Sequence, residues 1–123
     1  MTFRVDAHQA GTTAVLRMAG DVDATADTAL LAAHAQAVAG DPQTLMLDFS
    51  DVDYINSSGI ALIVMLLTEA RAARRAVHAT GLTAHYRHIF EITRLSDYLI
   101  IEDDGDGGPT DAPAGATGET SGG

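Results

Sequence analysis

Apolar and polar residues alternate from the start of the chain. Phe3, Val5 and Ala7 are separated by Arg4 and Asp6, and beyond a Gly11-Thr12 turn Ala14, Leu16 and Met18 alternate with Val15, Arg17 and Ala19. That period of two on both sides of a turn predicts an antiparallel hairpin, closed by Gly20-Asp21-Val22-Asp23. Ala24 to Ala39 is rich in Ala and Leu and stops at Gly40-Asp41-Pro42, which predicts a helix with a defined end. Thr44 to Phe49 is mostly apolar and bounded by turn residues, the pattern of a central strand covered on both faces. Asp51 to Ile55 leads out of it into a short polar loop, and Ser57 to about Arg75 begins apolar and ends in Arg71, Arg74 and Arg75, as a helix dipole favours. Ala76 to Thr80 reads as a weak strand closed by Gly81, Ala84 to about Thr93 as an amphipathic helix, and Tyr98 to Ile101 as a last short strand.

The order ββαβαβαβ belongs to the α/β class. It predicts one mixed, mostly parallel sheet begun by an antiparallel hairpin, with right-handed crossovers and packed helices. At 123 residues the chain supports one core and not two, so a single domain over residues 1–102 is expected. Residues 103–123 contain seven Gly, two Pro and only three Ala as apolar content. That composition buries too little surface to offset chain entropy and predicts a disordered tail.

Charge narrows the function classes. Net charge is −10, with eleven acidic residues in 1–101 and six in 102–123, against seven Arg and no Lys. An acidic chain without a basic stripe lacks the phosphate-neutralising surface that nucleic acid requires, so direct DNA or RNA binding is not expected. The absence of cysteine removes disulfides, thiolate metal sites and thiol nucleophiles. The longest apolar run, Ile60 to Leu67, is far shorter than the roughly 18 residues of a membrane span. The first residues show no basic leader followed by an apolar stretch, so the expected location is the cytoplasm, with no membrane partner.

The chemistry of interest lies in Ile55-Asn56-Ser57-Ser58-Gly59. Asn is a preferred N-cap residue, and with Asn56 as cap Ser57 and Ser58 fall in the first helical turn. A phosphoryl group there would sit beside unpaired N–H groups at the positive end of the helix. Serine in a first turn is also an ordinary structural choice, and spacing alone leaves both readings open.

At these residues the sequence resembles the STAS domain family, in particular bacterial anti-sigma factor antagonists. The resemblance spans about residues 3–101. It rests on Gly20-Asp21-Val22-Asp23 ending the second strand, on Leu47-Asp48-Phe49-Ser50, and on a Ser-Ser-Gly opening an apolar helix. It implies a switch in which an anti-sigma factor with a Ser/Thr kinase fold phosphorylates Ser57, the unphosphorylated protein binds that factor, and a PP2C-type phosphatase resets it. It further implies a partner surface of Asp21, Asp23, Asn56, Ser58 and Gly59, and a regulator that is not an enzyme and carries no cofactor. Asn56 stands where the family's usual acidic residue would be, and Ile101 runs into the Gly-rich segment where a final helix is usual.

Two other readings remain beside it. One is a STAS scaffold or sensor subunit that binds partners without being phosphorylated. The more remote one is a serine esterase, for which Ile55 occupies the first Gly position of Gly-x-Ser-x-Gly and His85 or His88 would have to reach the serine. His85, His88 and Glu91 share a three-residue spacing, but with no matching ligand cluster elsewhere no metal site is assigned.

Overall fold

A computed structural model of the chain describes residues 2–102; the tail expected over 103–123 lies outside the described residues. β1 (Arg4–Ala10) and β2 (Thr13–Val22) form the hairpin, with Gly11 at φ 64° in the two-residue turn. A 3₁₀ turn (Ala24–Ala26) leads into α1 (Asp27–Val38), followed by β3 (Thr44–Ile55), α2 (Ser57–Ala72), β4 (Ala76–Thr80), α3 (Ala84–Ile92), a second 3₁₀ turn (Leu95–Asp97) and β5 (Ile100–Ile101). The five strands lie in the order β1-β2-β3-β4-β5, with β1 antiparallel to β2 and every later pair parallel.

Strand order decides where the helices go. From β2 onward each crossover advances in the same direction, and right-handed crossovers advancing one way all pass over the same face. Ala14, Leu16 and Met18 of β2, Leu45, Leu47 and Phe49 of β3, and Val77 and Ala79 of β4 are buried on that face. They join Leu30 and Ala37 of α1, Leu62, Ile63, Leu66 and Ala70 of α2, and Phe90 of α3 in one core. Phe90 meets Phe49 edge to face, ring centroids 5.8 Å apart.

The opposite parity is only partly covered. Thr13, Val15 and Arg17 face outward beside Thr44, Met46 and Asp48, and next to His78 and Thr80. The expectation that β3 is covered on both faces is therefore corrected. Its unbroken apolar run arises because Met46 stands on the open face beside Val15, where two apolar neighbours shield each other.

Several boundaries also differ from the sequence pattern: the helix expected from Ala24 opens as a 3₁₀ turn with α1 from Asp27, and β5 begins at Ile100 and not at Tyr98. β3 does not stop at Phe49 but runs to Ile55, because register shifts against β2 between Arg17 and Ala19 and between Gly20 and Asp21 break the alternation. Asp51, Asp53 and Tyr54 are thereby exposed, while Val52 and Ile55 turn toward the core. α2 ends at Ala72, short of Arg75, since Arg74 adopts a left-handed φ of 57°. Arg74 N–H donates to Arg71 O and Arg75 N–H to Ala70 O, a Schellman closure without the usual glycine. Arg75 then turns inward to donate to Pro42 O and to pair with Asp41.

One core residue is polar. His34 of α1 is 5 % exposed, and its Nε2 has no hydrogen-bond partner among the described residues. Burial pushes its pKa down, opposed by Glu69 and reinforced by Arg75. The folded protein therefore keeps His34 neutral below the unfolded-state value near 6.5, and the unfolded chain binds the extra proton. As pH falls below about 6.5 this residue should erode stability at up to about 1.4 kcal/mol per pH unit, until its lowered folded-state pKa is passed. Urea unfolding at pH 7 and pH 5 should show a smaller loss for His34→Leu than for the wild type; equal losses would contradict this assignment.

Candidate functional site

The parallel strands bring the ends of β2 and β3 together at one end of the sheet, where Val22 pairs with Ile55. The chain then passes directly into α2. Asn56 is extended, at φ −102° and ψ −174°, and its Oδ1 accepts from Gly59 N–H at 2.9 Å, so it is the N-cap. Its own N–H donates to Val22 O at 3.2 Å, and its carbonyl accepts from Ile60 N–H at 2.9 Å. Ser57 and Ser58 occupy the first two helical positions and are exposed.

Gly59 is buried where α2 crosses the end of β2. A Cβ there would lie 2.7 Å from the Val22 carbonyl carbon, closer still to its oxygen, and 3.1 Å from Ile55 Cγ2. The helix can come this near only without a side chain. Gly59 thus acts by letting the serine turn seat against Gly20-Asp21-Val22-Asp23, the stretch that the sequence singles out.

The acidic residues separate into roles. Asp23 caps the 3₁₀ turn, its Oδ1 accepting from both Thr25 N–H and the Thr25 hydroxyl. Those bonds, the hydroxyl first, hold its carboxyl below the usual range, so Asp23 is a fixed negative charge. Asp21 lies one residue before Val22 on the partly exposed side of β2, aligned with Tyr54. Asp51 and Asp53 are exposed in the distorted end of β3. Asp21, Asp23, Asn56, Ser57, Ser58 and Gly59 are thus gathered at one end of adjacent strands.

A residue that the sequence pattern does not single out completes the support. Tyr86 of α3 places its hydroxyl 2.9 Å from Ile55 N, accepting that N–H and tying the last residue of β3 to the helix beside it. Thr83 caps α3 and fixes where Tyr86 projects. Only the amphipathic period of Ala84 to Thr93 hints at an inward tyrosine, and nothing in it names Ile55 as the partner. His85, His88 and Glu91 are exposed on α3, and no group of three possible metal ligands is gathered among the described residues.

Along α2, Ser57, Ala61, Val64, Thr68 and Arg71 follow one another at three- and four-residue steps on its exposed side. Val64 is 40 % and Met65 46 % exposed, so the apolar helix is not buried all round. No described helix is long and apolar enough to cross a membrane.

This architecture is shared with known proteins. An anti-sigma factor antagonist from Mycobacterium paratuberculosis superimposes with a TM-score of 0.70 at 18 % identity, over 81 % of this chain and 85 % of that one. SpoIIAA, an anti-sigma factor antagonist, matches in its unphosphorylated form with a TM-score of 0.65 at 20 % identity, over 83 % of this chain and 88 % of that one. The Bacillus cell fate determinant SpoIIAA in its phosphorylated form matches with a TM-score of 0.63 at 20 % identity, over 85 % and 95 %. These likenesses show a common SpoIIAA-like fold. No curated protein matches the sequence. Residues 5–102 match the family described as "Mlab, STAS domain", which is most of the chain, and the protein therefore belongs to the STAS domain family.

Proposed function

We propose that this STAS protein is a cytoplasmic anti-sigma factor antagonist that binds an anti-sigma factor of Ser/Thr kinase fold and is released when that factor phosphorylates Ser57, a PP2C-type phosphatase restoring the binding form. The observation that carries this reading is the placement of Ser57: exposed, first in α2, with its neighbour Asn56 already supplying the cap. A phosphoryl group on Ser57 would meet the positive end of α2, so the helix tolerates it. The surface does not, because about −2 of charge is added to an end already carrying Asp21, Asp23, Asp51 and Asp53. A partner carboxylate about 6 Å away would feel roughly 3 kcal/mol of repulsion per added charge at an effective dielectric near 20, before salt screening. Each 1.4 kcal/mol is about tenfold in affinity, so one phosphoryl group suffices to end a moderate complex. The antagonist acts by binding and needs no catalytic step of its own.

A second reading, a STAS scaffold subunit that is never phosphorylated, is favoured by Asn56, which holds the helix end without the acidic group usual at that place. The two differ in a direct experiment. Incubation with a kinase-type anti-sigma factor and ATP should add one phosphoryl group, lost in Ser57→Ala and kept in Ser58→Ala. Ser57→Asp should bind that factor at least about tenfold more weakly than Ser57→Ala. Equal affinities with no mass increase would replace the switch by the scaffold.

Cap and recognition can also be separated. Asn56→Ala should cost about 1 kcal/mol of stability, whereas Asn56→Asp, which keeps an oxygen for Gly59 N–H, should stay within about 0.5 kcal/mol of the wild type by urea unfolding. A comparable loss in both would show that the side chain does more than cap.

A further inference from the structure

At the other end of the exposed side of α2 lies a groove that the serine turn does not use. Val64, Leu67, Thr68 and Arg71 form one wall and Leu95 and Tyr98 the other, enclosing about 340 Å³. That is at the small end of ligand-sized pockets, roughly 300–1,000 Å³. Tyr98 is half exposed, with the Arg71 guanidinium 5.1 Å above its ring. Arg74 lines the adjoining hollow with Arg71, Arg75 and Asp97. Arg75 is committed to Asp41, and Asp97 to Arg94. Arg71 and Arg74 have no carboxylate partner among the described residues. The groove thus offers an aromatic and aliphatic floor with two arginines at its rim that no described carboxylate pairs, in a protein of net negative charge.

The same chain supplies a complementary segment. Residues 103–123 hold five acidic residues and no basic one, and the only stretch there that combines proline, alanine and a carboxylate is Pro109-Thr110-Asp111-Ala112-Pro113-Ala114. Proline-containing segments recognise aromatic-lined grooves with little entropy to lose, and a carboxylate matches an arginine rim. Reach fits as well. Glu102 is four residues beyond Tyr98, so it lies within about 14 Å of the groove. A Gly-rich chain of nine to twelve residues, the separation of Asp111 to Ala114 from Glu102, spans about 15–21 Å on average.

We infer that Pro109–Ala114 docks in cis into the groove between α2 and Tyr98, with Asp111 at Arg71 and Arg74. Such a contact can be weak. A short tether gives an effective concentration near 1 mM, so an intrinsic dissociation constant of about 1 mM leaves the groove roughly half occupied. Because Ser57 and Arg71 lie on one stripe of α2, the docked segment covers the far half of the surface that a partner reading that helix would meet. The inference does not depend on Ser57 being a phosphoacceptor.

The chain has no cysteine, so Gly108→Cys in the full-length protein accepts a single nitroxide next to the segment. Amide broadening should then be strongest at Val64, Thr68, Arg71, Leu95 and Tyr98. It should fall at least about twofold in about 1 M NaCl, where the Debye length is near 3 Å, and in Asp111→Asn. Arg71→Gln with Arg74→Gln should give the same fall. Broadening spread evenly, centred on the open sheet face at Val15, Met46 and His78, or unchanged by Asp111→Asn would overturn the proposal. So would equal broadening of an isotope-labelled, cysteine-free chain mixed with spin-labelled chain, which would make the occupant a second copy.

Discussion

The backbone of α2 meets the backbone of β2 at Gly59, and the rest of the site depends on how closely they meet. The Val22 carbonyl occupies the space that any Cβ at position 59 would need, and the same carbonyl accepts the N–H of Asn56. One oxygen thereby fixes both the cap residue and the first turn that the cap holds. Ser57 and Ser58 are carried into solvent between those two contacts, so their position is set by backbone packing together with the Asn56 side-chain cap that spans them. A hydroxyl presented this way can be modified or covered by a partner while the core beneath is left alone.

The one-sided sheet explains why this end of the molecule is available. With every crossover passing over one face, α1, α2 and α3 share a single core, and the carboxyl ends of β2, β3, β4 and β5 all point the same way. Distortion in β3 then leaves Asp51, Asp53 and Tyr54 outward as a polar rim, while Tyr86 reaches from α3 to hold the strand's last N–H. Fixed charge from Asp23, kept ionised by Thr25, makes the rim acidic. The opposite end of α2 is basic, since Arg71, Arg74 and Arg75 close the helix, so the two ends of one exposed helix stripe carry opposite electrostatic character.

Much of this is legible in the sequence, for physical reasons that can be named. The order of elements follows from alternation in β2 and from the Ala- and Leu-rich run of α1, and the cap at Asn56 follows from residue type at the edge of an apolar run. The serine turn stands out by resemblance and not by spacing, because Ser in a first helical turn is common. The extension of β3 to Ile55 is hidden because bulges destroy the period on which strand recognition rests. The helix end at Ala72 is hidden because Arg74 adopts a left-handed conformation in which glycine is the usual signal. The Tyr86 to Ile55 bond joins residues 31 apart, which no local pattern reports.

If the serine turn is seated by the absence of a side chain at Gly59, the sign of one stability change decides the matter. Glycine to alanine inside a helix normally stabilises by roughly 0.5–1 kcal/mol, because alanine loses less conformational entropy on folding. At position 59 the added methyl group must instead push α2 off Val22, and overpacking of that kind costs about 1–3 kcal/mol. Equilibrium urea unfolding of Gly59→Ala beside the wild type is therefore the most direct measurement: a less stable protein is expected, and a variant as stable as the wild type or more so would contradict the seating of the turn by Gly59.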